Sequence, residues 1–289
     1  MGSGIFARAD FASYSVRTGK SIDSATGRVS GQVFYQSCLN PALDPRNFDV
    51  RECANTEEHP NTIPVILALD VTGSMGRACQ ETAEALGVIM TDLYGKYKDI
   101  EFCVMGIGDL AYDDAPIQMS QFESDVRIAE ALDKIYIEHG GGGNYFESYT
   151  AAWYMGLKRT KLDCFDKQGR KGIIITMGDE PLNPYLPVSK LNHFVNGREQ
   201  ADIETPALYE EVCKKFDVYH ISIEHGGHGE DSSIKMTFGK FLGERLKFST
   251  VNNLASAIVE CISDSVQSTG ELAGLTPGNS VNENGEISW

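Results

Sequence analysis

The sequence lacks the long apolar runs and paired cysteines that mark membrane and secreted proteins. No apolar run reaches the ~18–20 residues that a bilayer-spanning helix needs. The first residues show no apolar stretch of the kind found in signal peptides. The seven cysteines are an odd number without a Cys-x-x-Cys pair. We therefore expect a reduced, cytoplasmic protein with no membrane association.

Basic residues are also scarce. The chain has 25 lysines and arginines against 41 aspartates and glutamates, which gives a net charge of −16. Because affinity for nucleic acids depends on basic surface, this balance argues against a nucleic-acid partner. It suits a protein that binds cations or basic partners, although a high net charge also serves solubility. The 289 residues, 42% of them hydrophobic, are enough to bury a substantial core.

Several hydrolase motifs are missing as well. The glycines at 140–143 are not followed by the Gly-Lys-Ser/Thr ending of a P-loop, and the chain has no G-x-S-x-G nucleophile elbow. Position 72 is threonine, so Asp70 does not begin an Asp-x-Asp phosphatase motif, and Val71 interrupts the Asp-Thr-Gly of aspartic proteases. No nucleophile or general base stands out, and we predict that the protein is not an enzyme.

Residues 64–267 alternate between strand-like and helix-like segments. Strands are predicted at 64–70, 100–108, 116–122, 171–177, 217–224 and 246–249. Apolar residues recur at helical spacing within 86–97, 128–136, 149–157, 208–216 and 254–262. This alternation predicts an α/β fold with a doubly wound, mainly parallel sheet and helices on both faces. The second and third strands lie too close for a crossover helix, so we expect 116–122 to be an antiparallel edge strand.

The two ends of the chain differ from this region in composition. Residues 1–60 are rich in Ser, Arg, Asp and Asn, so we expect an irregular N-terminal extension with one short strand near 31–37. Residues 61–267 are predicted to form the α/β domain. Residues 268–289 contain three acids and no base, and we expect them to form a flexible acidic C-terminal tail.

The most informative stretch is VILALDVTGSMG at 65–76. An apolar strand runs directly into Asp70, Thr72 and Ser74, whose side chains alternate along the chain and therefore point to one side. Carboxylate and hydroxyl oxygens are the ligands that Mg²⁺ prefers. The structural alternative is a strand-to-helix turn in which Thr72 or Ser74 caps the next helix.

Other polar residues are predicted at the carboxyl ends of neighbouring strands, where sheets of this kind bind ligands. Asp109 follows the second strand and Asp179 follows the central one. The loop 139–148 contains four consecutive glycines and brings Asn144 and Glu147 to the start of a helix. Consecutive glycines suit a backbone that passes close to another group, although a purely structural loop is the alternative.

Three of these stretches resemble, in the same order, the metal-site motifs of von Willebrand factor A (VWA) domains. DVTGSM at 70–75 resembles the Asp-x-Ser-x-Ser motif, with Thr72 keeping a hydroxyl. GGGGNYFES at 140–148 is similar to the glycine-rich second motif, with Asn144 at an Asp position and Glu147 matching a Glu. IIITMGDEP at 173–181 supplies Asp179, with Gly178 where threonine is usual. The resemblance covers 64–267 and is strongest to an intracellular bacterial or phage subgroup.

The resemblance implies a metal-ion-dependent adhesion site at the carboxyl edge of the sheet. Five residues would hold Mg²⁺, or Mn²⁺, directly or through water: Asp70, Thr72, Ser74, Asn144 and Asp179. Asp109 and Glu147 would orient these ligands or their waters. An acidic side chain of a partner protein would complete the coordination shell, which makes the chain a protein–protein interaction module.

Two other functions are compatible with the same residues. One is a Mg²⁺-dependent phosphoester hydrolase in which Asp70 or Asp179 acts as the base. The other is a structural component of a larger assembly, with a vestigial metal site.

Overall fold

The computed structural model describes residues 4–31, 34–138, 146–224 and 232–273. The strands are β1 Ser21–Ile22, β2 Val29–Ser30, β3 Arg51–Cys53, β4 Ile63–Asp70, β5 Ile100–Ile107, β6 Ile117–Met119, β7 Thr160–Leu162, β8 Gly172–Gly178, β9 Tyr185–Leu186, β10 Ile203–Glu204, β11 Phe216–Glu224 and β12 Leu246–Thr250. The helices are α1 Arg8–Arg17, α2 Gly76–Tyr94, α3 Arg127–Asp133, α4 Thr150–Lys158, α5 Asp163–Asp166, α6 Val188–Val195, α7 Thr205–Lys215, α8 Ser232–Leu242 and α9 Leu254–Ala273.

Six of the strands form one sheet, in the order β12-β11-β8-β4-β5-β6. The pairs β4–β5, β4–β8, β8–β11 and β11–β12 are parallel. Strand β6 pairs with β5 in the antiparallel sense and lies at the edge of the sheet. The predicted α/β fold, with a mainly parallel sheet and one antiparallel edge strand, is therefore confirmed.

The central strand β4 shows why the sheet is covered on both faces. Val65, Leu67 and Leu69 belong to the core that contains side chains of α1, α2, α3 and α9. Ile66 and Ala68 belong to the opposite core, which contains side chains of α4, α6, α7 and α8. Because successive strand residues point to opposite faces, a continuous apolar run is needed to fill both cores.

The N-terminal segment is more regular than we expected from its composition. Helix α1 buries Phe11 and Tyr14, and the Phe11 ring lies so close to α2 that a Cβ added to Gly87 would be 2.4 Å from Cε1. The hydroxyl of Tyr14 donates to Asp133 of α3 across 2.5 Å. These contacts correct the expectation of an irregular extension, because tertiary packing stabilises a helix that has little apolar periodicity of its own.

Two smaller differences lie at the edges of the predicted segments. The strand expected near 31–37 is displaced to Val29–Ser30, where it pairs with β1, and residues 32–33 lie outside the described residues. Helix α9 continues to Ala273, past the predicted end of the domain at 267. No proline occurs between Leu254 and Pro277, so no proline interrupts the backbone hydrogen bonds of this helix. Residues 274–289, the rest of the predicted tail, lie outside the described part.

Helices α6 and α8 were not among the predicted segments, and their apolar residues Leu191, Val195, Ile234 and Phe238 are buried in the core. Within the residues that the structure describes, no helix is both long and apolar enough to cross a bilayer.

Candidate metal centre

Three buried acids lie where adjacent parallel strands end. Asp70 is the last residue of β4, Asp179 follows β8 directly, and Asp109 follows β5 by two residues. Their exposed fractions are 0%, 4% and 2%. Strand β4 lies between β5 and β8, so the sheet brings the three predicted acids to the same edge.

Thr72 is bound to the carboxylate of Asp70 by two hydrogen bonds. Its backbone N–H donates to Oδ1 of Asp70 across 3.0 Å, and its hydroxyl donates to the same oxygen across 2.6 Å. A hydroxyl that gives its proton to a carboxylate keeps its oxygen lone pairs available for a cation. Thr72 makes no side-chain capping bond to the 3₁₀ turn Gly73–Met75, so the capping alternative does not describe this residue.

Tyr149 is a site residue that sequence analysis missed. It is fully buried, its hydroxyl donates to Oδ2 of Asp70 across 2.7 Å, and the backbone N–H of Glu180 donates to that hydroxyl across 3.3 Å. Tyr149 occurs at the spacing that apolar residues have along a helix. From the sequence alone, a tyrosine at such a position cannot be distinguished from an ordinary core residue. The one signal in the sequence was Gly178, because a Cβ at that position would lie 1.9 Å from the Tyr149 hydroxyl oxygen.

Glu147 and Asp109 bring further carboxylates to this edge. Glu147 is 7% exposed and forms an isolated bridge with Leu182, in the segment that follows β8. The neighbouring Ser148 accepts a hydrogen bond from Leu110 N, which connects the loop after β5 to the start of α4. Oε2 of Glu147 and Oδ2 of Asp109 are buried and have no hydrogen-bond partner among the described residues. Unpartnered buried carboxylate oxygens fit a cation-binding role.

The electrostatic environment of these acids also favours the binding of a cation. Burial raises the pKa of the Asp70 carboxyl above its usual range, and the charge of Asp179 adds to that increase. Burial is also the largest cause of the raised pKa of the Glu147 carboxyl. Nearby negative charges raise this pKa further, those of Asp70, Asp113, Asp109 and Glu180. Like charges at close range in a buried site are unfavourable, and a divalent cation would offset them.

The carboxylate and hydroxyl oxygens of these residues therefore fit a hard divalent cation such as Mg²⁺. Within the described ranges, no group of three or more His, Cys, Asp or Glu residues is arranged to hold a metal by itself. A site here would thus need hydroxyl or amide ligands in addition to the acids.

Two of the predicted ligands cannot be placed. The backbone of Ser74 lies in the turn Gly73–Met75, but its side chain is outside the described part. Asn144 falls within 139–145 and lies outside the described residues altogether.

The sheet that carries these acids is mainly parallel, with the strand order β12-β11-β8-β4-β5-β6. No family model and no curated protein sequence matches the chain. Similar solved structures include the pilus adhesin SpaC from Lactobacillus rhamnosus GG in its open conformation, with 11% identity and a TM-score of 0.48 over 74% of this chain and 31% of the adhesin.

Two further structures are similar at the same level. The vWF domain of the type V pili tip protein Mfa5 from Porphyromonas gingivalis has 11% identity and a TM-score of 0.42, over 76% of this chain and 98% of that domain. Proximal thread matrix protein 1 from the mussel byssus has 12% identity and a TM-score of 0.45, over 71% of this chain and 48% of that chain. The chain spans about a third of the SpaC chain that it matches. Similarity at identities this low concerns only the fold and carries no information about function.

Proposed function

We propose that the chain is a metal-dependent protein–protein interaction module. Mg²⁺, or Mn²⁺, is held at the carboxyl edge of the sheet, and an acidic side chain of a partner protein completes its shell. The observation that carries this proposal is the group of buried acids at that edge, in which carboxylate oxygens of Asp109 and Glu147 have no hydrogen-bond partner among the described residues.

In this proposal the ligands come from the three motifs. The carboxylate and hydroxyl oxygens that bind the cation, directly or through water, belong to Asp70, Thr72 and Asp179. The resemblance to VWA domains adds two further ligands, Ser74 and Asn144. A bound cation would supply Lewis acidity for binding a carboxylate, and Asp109 and Glu147 would orient the ligands or their waters.

The acidic composition of the chain is compatible with an acidic partner. The net charge of −16 would repel a carboxylate at long range. At the site itself, a bound divalent cation is the largest local charge and reverses the sign of the potential. The proposal includes a cytoplasmic location and no binding of nucleic acid or membranes.

Two measurements test this function. Calorimetric titration with Mg²⁺ should show binding to the wild-type protein and none to Asp70→Ala, while the exposed Asp49→Ala binds as the wild type does. Affinity capture of host proteins should then give partners that are retained in Mg²⁺ and lost both in chelator and with Asp70→Ala. A partner set indifferent to the metal would contradict the proposal. Mg²⁺-dependent turnover of a generic phosphoester that is lost in Asp70→Ala would instead establish the hydrolase alternative.

A further inference from the structure

We propose that Tyr149 and Gly178 form a matched pair that positions Asp70 for cation binding. In this arrangement the hydroxyl of Tyr149, the residue just before helix α4, occupies the space beside Gly178 of β8, where VWA-like sequences usually carry a threonine. The inference rests on the proposed function, since it assigns a positioning residue to the same metal centre.

The hydroxyl of Tyr149 joins two of the strand ends that form the site. It donates to Oδ2 of Asp70, at the end of β4, across 2.7 Å, and it accepts from Glu180 N, after the end of β8, across 3.3 Å. Thr72 occupies the other oxygen of the same carboxylate. The Asp70 carboxylate is therefore held from both sides, and its orientation depends on Tyr149.

Gly178 is required by the position of the Tyr149 ring. A Cβ at residue 178 would lie 1.9 Å from the hydroxyl oxygen, 2.5 Å from Cζ and 2.6 Å from Cε1. Real Cβ atoms do not approach other atoms so closely, and both residues are buried within a packed interior. Any larger residue at 178 would displace the phenol, so the two positions depend on each other.

The Tyr149 ring is fully buried and packs against two other rings. It lies edge-on to His220, with centroids 5.0 Å apart, and it packs against Phe238 at 5.7 Å. His220 in turn stacks on Phe238 at 3.8 Å and shares a 2.9 Å hydrogen bond between Nδ1 and the hydroxyl of Thr176. A fixed donor of this kind holds a carboxylate ligand in one orientation before the cation binds.

The first test compares two single hydroxyl deletions. Tyr149→Phe removes the donor to Asp70, and Tyr94→Phe removes a phenol that donates to Ile100 O across 2.6 Å at the opposite edge of the sheet. Calorimetric titration should show Mg²⁺ binding weakened roughly 10–100-fold in Tyr149→Phe, the range typical of residues that orient metal ligands. Tyr94→Phe should keep the wild-type affinity, and circular dichroism should show that both variants are folded.

The second test examines the matched pair without any metal. In chelator, Gly178→Ala should lower the unfolding temperature strongly, because its Cβ meets the phenol. In a Tyr149→Ala background the same substitution should lower that temperature far less. Equal effects in the two backgrounds would overturn the pairing.

The outcomes separate this inference from the proposed function. If the wild-type protein binds Mg²⁺ and Tyr149→Phe binds it equally well, the positioning role is wrong and the metal-dependent function stands. If the wild-type protein does not bind Mg²⁺ or Mn²⁺, both are wrong.

Discussion

The hydroxyl of Thr72 donates to Oδ1 of Asp70 across 2.6 Å, two residues after strand β4 has ended. The backbone N–H of Thr72 reaches the same oxygen, so the turn after the strand is built around the Asp70 carboxylate. The hydroxyl proton of Thr72 therefore points toward the Asp70 carboxylate, and the hydroxyl oxygen can still act as an acceptor or a metal ligand.

A pair of substitutions at Thr72 separates the hydroxyl from the shape of the side chain. We expect Thr72→Val, which keeps the branched shape but has no hydroxyl, to abolish Mg²⁺ binding or weaken it at least roughly tenfold. Thr72→Ser should retain most of the affinity, because the hydroxyl is kept. Calorimetric titration of the two variants is the measurement, and equal affinities would mean that the hydroxyl is not a ligand.

The sequence predicted the placement of these acids at the strand ends better than the hydrogen bonds around them. Asp70, Asp109 and Asp179 could be placed together because parallel strands bring their carboxyl ends to one edge, a rule that needs only strand assignments. Tyr149 could not be assigned, because its role depends on a hydrogen bond from the residue just before α4 to the last residue of β4, which no local pattern encodes. Helix α1 was missed for a similar reason, since Phe11 is buried by tertiary contacts that include α2.

Glu147 is expected to destabilise the protein in the absence of a cation. Its carboxylate is buried beside Asp70, Asp113 and Asp109, whose charges add to the effect of burial and raise its pKa. In chelator, Glu147→Gln should therefore unfold at a higher temperature than the wild type, and it should gain less from added Mg²⁺. Differential scanning calorimetry measures both shifts, with the exposed Glu210→Gln as a control. A lower unfolding temperature for Glu147→Gln in chelator would contradict this account.

A pH dependence should arise from Glu101, at the opposite edge of the sheet. Burial raises the pKa of Glu101 from 4.5 to about 7, while Cys53 and His59 act in the opposite direction with smaller effect. Because the folded state holds this proton more tightly, its contribution is fully present below pH 4.5 and is lost as the pH rises through 7. The loss in unfolding free energy is at most about 3 kcal/mol.

Urea unfolding across that pH range tests this dependence. The wild-type protein should lose stability between pH 4.5 and about pH 8, and Glu101→Gln should show a flatter profile. The half-exposed Glu52→Gln should follow the wild type. Parallel profiles for Glu101→Gln and the wild type would show that folding does not raise the pKa of Glu101.

Asp133 anchors the N-terminal segment to helix α3. It forms an ion pair with Lys20, and both side chains of this pair are less than a tenth exposed. Its carboxylate also accepts a hydrogen bond from the hydroxyl of Tyr14. Removing one partner leaves the other charge buried, so Lys20→Met should lower the free energy of unfolding by about 3–5 kcal/mol. The double variant Lys20→Met/Asp133→Leu should lose less. Urea unfolding gives both values, and a greater loss in the double variant would contradict the argument.

Gly87 provides the sharpest test of how helix α1 is seated. In an ordinary helix interior, glycine to alanine stabilises by about 1 kcal/mol. Here the new Cβ would lie 2.4 Å from Cε1 of Phe11, so Gly87→Ala should be destabilising and should displace α1. In a Phe11→Ala background the clash is removed, and the same substitution should become stabilising. Urea unfolding of the four proteins measures this change of sign, and limited proteolysis within residues 4–31 reports the displacement of α1. If Gly87→Ala stabilises the protein in both backgrounds, then Phe11 does not pack on α2 as the structure places it.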